Sequence, residues 1–263
     1  MKKNAFTLVE LLIVIAVISI LASILLVSVS QAKQRARIAE CSGNVRSLVV
    51  SWEMYSDDHA DRLLINKAIQ YNQRPREKWI NGIMNFGEPG WGDHTNSAYV
   101  QHNLMFEYAP SLRMYKCPSD KIRNFHYVDR KWQKIPWVRT YGLNQYMNGT
   151  PIGKYSNYLT QNHIDEPSNR MTFLGQRADT YENGFFVVGV SDLFVPEAYR
   201  WHEFPAKYHI GKTPVAMADG HTEIHKWETQ WPPMGNKKNS KPREHAPNSS
   251  DIGWINNHAT AIK

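Results

Sequence analysis

A chain of 263 residues, 42% of them hydrophobic, is long enough for one domain of ordinary size plus appendages, and its two cysteines are too few for a disulfide scaffold or a zinc site closed by thiolates alone. The formal net charge of +7 comes from dispersed and terminal residues, Lys2 and Lys3, then Lys33, Arg35 and Arg37, then Lys237, Lys238, Lys241 and Arg243, so it reads as surface and membrane-flank charge and predicts no nucleic-acid partner. The nine Trp and thirteen Tyr fit either a carbohydrate-binding face or a core built from large side chains, the second being the simpler reading.

Residues 11–29 contain no charge and are interrupted only by Ser19, Ser23 and Ser28. As a helix they span roughly 28 Å, close to the hydrocarbon thickness of a bilayer. A cleaved secretory signal has a shorter apolar stretch and a small-residue cleavage site at its far end, whereas this one runs directly into a polar helical pattern. Basic residues flank the segment on both sides in near-equal number, so charge alone does not orient it. Glu10 lies inside the opening turns, where an ionisable group is costly and calls for a partner, a job, or a snorkelling route to the interface.

The run Lys2-Lys3-Asn4-Ala5 followed by Phe6-Thr7-Leu8-Val9-Glu10-Leu11-Leu12 resembles the class III leader of type IV pilins and type II secretion pseudopilins. The resemblance implies cleavage by prepilin peptidase between Ala5 and Phe6, N-methylation of Phe6, and Glu10 as the fifth mature residue. Ala5 departs from the Gly usual in that family before the cut, although it keeps the side chain small. The resemblance also implies a leader in the cytoplasm, a single pass through the bacterial inner membrane, and a domain in the periplasm or on the cell surface. In an assembled filament, Glu10 would pair with the N-terminal amine of a neighbouring subunit's Phe6 and fix the stagger between subunits.

Beyond the apolar segment, Ile38, Cys41, Val45, Leu48, Trp52 and Tyr55 recur at spacings of three and four, one stripe of a continuing helix. Asp57, Asp58, His59 and Asp61 mark its end, and their spacing fits a solvated helix terminus better than a calcium loop. Residues 62–165 are rich in Asn, Gly, Pro, Trp and Tyr and predict loops with short helices, one over residues 103–108. Apolar and aromatic runs predict strands at 170–174 and 184–190. Strands at 213–218 and 221–227 flank Asp219-Gly220, a preferred pair for a tight hairpin turn. The polar, Pro-containing stretch from 231 reads as a tail whose last segment could dock back through Trp254. The predicted organisation is therefore a leader at 1–5, a transmembrane half-helix at 6–30, an amphipathic half at 31–56, a globular domain at 57–230 and a polar tail at 231–263.

His209, nine residues, then Asp219 and Gly220 match an H-X9-DG signature found in a subgroup of pilin-like proteins, with Cys41, Asn44, Cys117-Pro118-Ser119-Asp120 and Thr140-Tyr141-Gly142-Leu143-Asn144 as further landmarks. Strand geometry puts His209 and Asp219 roughly 33 Å apart unless the segment folds back, so a joint metal or catalytic role is disfavoured and His209 reads as a loop or packing residue. His202, His209, His221 and His225 crowd one region, but zinc needs three or four convergent ligands. No cofactor is predicted, with calcium and zinc left open. Outside the cytoplasm Cys41 and Cys117 could form one disulfide, adding about 4 kcal/mol on the chain-entropy model, and the sequence leaves that pairing open. No Ser-His-Asp set, phosphate loop or carboxylate pair stands out, so no enzyme is predicted.

Together these features predict an α+β, pilin-like subunit, with a long N-terminal helix on a small antiparallel sheet, that assembles with other pilin or pseudopilin subunits. The alternatives are a membrane-tethered module binding polysaccharide or exported protein and, more weakly, a tethered metalloenzyme.

Overall fold

The computed structural model describes residues 7–67, 76–80, 95–128, 131–151, 154–178, 180, 184–188, 194–230 and 244–262. Its spine is α1 (Leu8–Asp58), 51 residues or about 75 Å long. No proline and a single glycine, Gly43, fall within that span, so nothing breaks the hydrogen-bond ladder. Residues 7–36 are exposed throughout, whereas Cys41, Val45, Leu48, Val49, Trp52 and Tyr55 are buried along one face. The helix ends at His59, after which Ala60 and Asp61 take left-handed conformations and the Asp61 N–H closes on the Ser56 carbonyl.

The acidic cluster at this end serves the termination. Asp58 accepts a hydrogen bond from the Tyr108 hydroxyl (2.9 Å), Asp61 accepts the Asn162 N–H (3.1 Å), and His59 stacks on Tyr55.

Two short helices follow, α2 (Ala98–Gln101) and α3 (Met105–Tyr108), the second inside the predicted 103–108 segment. An isolated antiparallel hairpin comprises β1 (Arg123–Val128) and β2 (Lys131–Pro136). The main sheet contains β3 (Tyr141–Asn144), β4 (Met171–Gly175), β5 (Phe185–Phe186), β7 (Lys212–Met217) and β8 (Thr222–Lys226), in the order β5-β3-β4-β7-β8. A second small pair joins β6 (Arg200–Trp201) to β9 (Glu244–His245), and α4 (Ser250–Ala259) closes the described chain.

The architecture is α+β with a pilin-like layout, and its strands differ from expectation in three places. The sheet is mixed, because β5 runs parallel to β3 while every other pairing is antiparallel. The loop-rich region 62–165 contributes three strands, including the internal strand β3. Its four residues are all buried, so no polar alternation advertised it. The strand predicted at 184–190 is only Phe185–Phe186 within the described residues, and 189–190 lie outside them.

Helices cover both faces of the sheet. Along β7, Ala216 packs with the α1 stripe, while Val215 and Met217 point to the opposite side, toward Ile252, Ile255 and Ala259 of α4, as the two-residue period of a strand requires. The chain end, read from sequence as a polar tail, is thus structural from Glu244 to Ile262; residues 231–243 lie outside the described set. Docking rests on buried aliphatics and on Asn144, whose amide donates to the carbonyls of Met171 (2.9 Å) and Ala259 (2.8 Å), with Trp254 packed at the margin.

The abundant aromatic residues build this core. Trp52, Trp79, Trp137, Trp201 and Trp227 are all buried, and among the described tryptophans only Trp132 is more than half exposed.

Candidate functional site

Two places concentrate chemistry. The first is the start of α1. Thr7 is its N-cap: its side-chain oxygen accepts the Glu10 backbone N–H (3.2 Å), and Glu10 Oε2 accepts both the Thr7 N–H and the Thr7 hydroxyl (2.8 Å each). This reciprocal capping box satisfies orphan donors at a helix terminus. It gives Glu10 a local reason to sit in an apolar run that sequence reading did not supply, although Thr7 three residues before a Glu is the signal that announces it. Ala5 and Phe6 lie outside the described residues.

From Leu8 the helix is apolar around its circumference, and it is the one helix among the described residues long and apolar enough to cross a membrane. The hydroxyls of Ser19, Ser23 and Ser28 donate to the carbonyls of Ile15, Ile20 and Ile24, which leaves no unsatisfied side-chain donor along the span.

The second place is buried where the spine meets the head. Cys41 lies on α1, Cys117 on the loop before β1, and His209 in the turn that enters β7. Their sulfur and nitrogen atoms all lie within 4.8 Å of one another. His209 Nε2 is 3.1 Å from Cys117 Sγ, the Tyr141 hydroxyl is 3.1 Å from Cys41 Sγ, and Ser119 Oγ is 3.4 Å from His209 Nδ1.

The surrounding frame is hydrogen-bonded. The Cys117 N–H donates to Thr140 Oγ1, and the Thr140 hydroxyl donates to Asp120 (2.6 Å), which also accepts the Ile122 N–H. Asn44, one helical turn from Cys41, donates to the carbonyls of Arg113 and Lys116 and ties the Cys117 loop to α1. Both cysteines are free thiols. Hydrogen bonding with Cys41 and then with His209 draws the Cys117 thiol down despite burial, while the same contact with Cys117, together with burial, pushes Cys41 up. Burial also raises Asp120, against the pull of Thr140.

The H-X9-DG residues do not meet. His209 precedes β7 through a turn in which Ile210 and Gly211 both have positive φ, and Asp219-Gly220 lie beyond the far end of the strand. The turn there is also not the two-residue kind. Met217 to Gly220 close a β-turn, Gly220 follows at φ +84°, and the ladder resumes at Ala216 opposite Thr222, the pattern of a three-residue loop with a glycine bulge. Asp219 accepts from the His221 N–H (3.1 Å) and ring (2.6 Å), so His221 belongs to the turn. His225 sits between Trp227 and Trp254 beside Asp251. The four histidines therefore do not converge. His209 instead joins the two cysteines, an association no local spacing encodes because its members come from three distant segments.

Residues 1–26 match the model of the prokaryotic N-terminal methylation motif. No curated protein and no solved structure gives a significant match to the chain. The motif supports a type IV pilin-like protein processed by a prepilin peptidase, and it points to a structural subunit rather than an enzyme.

Proposed function

We propose that the chain is a structural subunit of a type IV pilus or a type II secretion pseudopilus. It is cut between Ala5 and Phe6, methylated on Phe6, held by α1 in the bacterial inner membrane with its head outside the cytoplasm, and then polymerised through that helix with other pilin or pseudopilin subunits. The observation that carries this reading is the coincidence of the methylation motif with a run of helical residues, 8–36, that the head leaves entirely uncovered.

Apolar contact alone does not order such helices. Moving from lipid into a helix bundle gains packing and little hydrophobic energy, so a specific polar contact is needed to set the axial stagger. Glu10 supplies it. Both capping bonds fall on Oε2, and Oε1 is the oxygen offered to the Phe6 amine of the neighbouring subunit.

Two substitutions separate the cap from the pairing. Glu10→Gln keeps an oxygen for the capping box and removes the charge, whereas Thr7→Val removes the cap and keeps the charge. Filament incorporation, read by shearing and blotting cells that express each variant, is expected to collapse for Glu10→Gln and to persist for Thr7→Val. Normal incorporation of Glu10→Gln would sink the pairing role. Mass spectrometry of the mature N-terminus tests processing independently: methylated Phe6 is expected, and an intact Met1 overturns it.

A further inference from the structure

We propose that Cys41, Cys117 and His209 bind one zinc ion, which clips the spine helix to the Cys117 loop and to the turn entering β7. The donor set is the first reason. Two thiolates and a neutral imidazole are soft-to-borderline ligands that favour zinc and disfavour calcium or magnesium.

Charge is the second. All three side chains are buried, and two adjacent buried thiolates repel each other, but two thiolates with Zn²⁺ sum to zero, so the loaded site buries no net charge. Loading releases the thiol protons.

Geometry is the third reason. Ligands on a tetrahedral zinc stand about 3.5 to 3.8 Å apart, given Zn–N and Zn–S bonds of about 2.0 and 2.3 Å. The contact of 3.1 Å between His209 Nε2 and Cys117 Sγ needs to open by roughly half an ångström, and the other pairs, none wider than 4.8 Å, need to close by at most about 1 Å, to reach that spacing.

The outer contacts fit as well. The Tyr141 hydroxyl is placed to donate to the Cys41 thiolate, the Cys117 loop is held by Thr140 and Asp120, and Ser119 meets the far nitrogen of His209, the kind of contact that fixes a ligating imidazole. A disulfide would satisfy the two sulfurs but leave His209 Nε2 facing a sulfur with no proton to share. A cavity of about 730 Å³, lined in part by Lys116, Cys117, Pro118 and Asp120, reaches the cluster at Cys117. Three protein ligands leave the fourth position to water.

The test uses the full chain, purified in detergent under reducing conditions without chelator. Titration with zinc against a chromophoric competitor is expected to show one zinc per chain, and cobalt in its place is expected to give thiolate charge-transfer absorption. Cys41→Ser and Cys117→Ser should each abolish that absorption. His209→Ala should weaken zinc binding at least tenfold, and Tyr141→Phe, which leaves all three ligands, about tenfold with an unchanged far-UV dichroism spectrum. The wild-type titration and Tyr141→Phe keep the test decisive should a cysteine variant fail to fold. The proposal is overturned if the reduced wild-type chain takes up no zinc, if it retains copper(I) but not zinc in competition, if uptake survives both cysteine substitutions, or if protein isolated from its own host carries a Cys41–Cys117 disulfide.

Discussion

Replacing Asn144 by Leu is expected to loosen the C-terminal helix before the rest of the fold. Asn144 is fully buried at the junction of β3, β4 and α4, where its amide donates to the carbonyls of Met171 and Ala259 and its oxygen accepts the Tyr146 N–H at 3.1 Å. Leucine has a similar volume, so packing changes little, but three backbone groups lose a partner at once. A buried group left unsatisfied costs about 1 to 3 kcal/mol. The Ala259 carbonyl belongs to the last turn of α4 and has no intrahelical partner to fall back on.

A total of about 3 to 9 kcal/mol is a large share of ordinary domain stability, and for a domain of this size it lowers Tm by roughly 6 to 36 °C. The assay is a thermal melt of the detergent-solubilised chain by near-UV dichroism, with hydrogen exchange over residues 244–262. Exchange there should rise ahead of exchange in β4 and β7. A Tm within about 2 °C of wild type would refute the claim that this one side chain fastens the helix.

Gly220→Ala should cost about 1 to 2 kcal/mol, because φ +84° is left-handed while the nearest atom to an added Cβ, Glu53 Oε1 at 3.4 Å, is an ordinary contact; Gly220→Asn should cost less. Urea midpoints at unchanged m-value measure both, and equal losses would contradict a conformational origin. Leu48→Ala, in the buried stripe of α1, should cost about 2 to 5 kcal/mol and be read by the same denaturation, whereas Leu25→Ala in the uncovered half should leave the stability of the head unchanged.

Asp251 makes stability depend on acid. Burial pushes its carboxyl up, but the His225 imidazole 3.6 Å away and hydrogen bonds from the Thr229 and Glu228 backbone N–H groups outweigh that and hold it below the usual range. Its folded pKa is therefore depressed, so its contribution is complete above the unfolded value of about 3.9 and fades as pH falls through the folded value. Asp251→Asn should flatten the decline in stability measured from pH 5 to pH 2, and an unaltered decline would assign it elsewhere.

The sequence by itself determined whatever repeats locally. The apolar run and the spacing of Cys41, Val45, Leu48, Trp52 and Tyr55 specify a helix with an uncovered half and a docked half, because a helix carries its pattern every three or four residues. Asp219-Gly220 likewise places a hairpin, although the backbone decided its three-residue form. Only the tertiary structure decided that β3 lies inside the sheet, since a four-residue strand buried on both faces shows no alternation, and that β5 joins it in parallel, since a pairing of two residues has no pattern to read. It also decided that the chain end returns as α4. The same holds for the junction at Cys41. Its landmarks, Asn44, Cys117, Asp120, Thr140, Tyr141 and His209, are visible one at a time along the chain, but their meeting depends on α1, the Cys117 loop and β7 packing together, and contacts between segments so far apart are set by the fold rather than by any spacing.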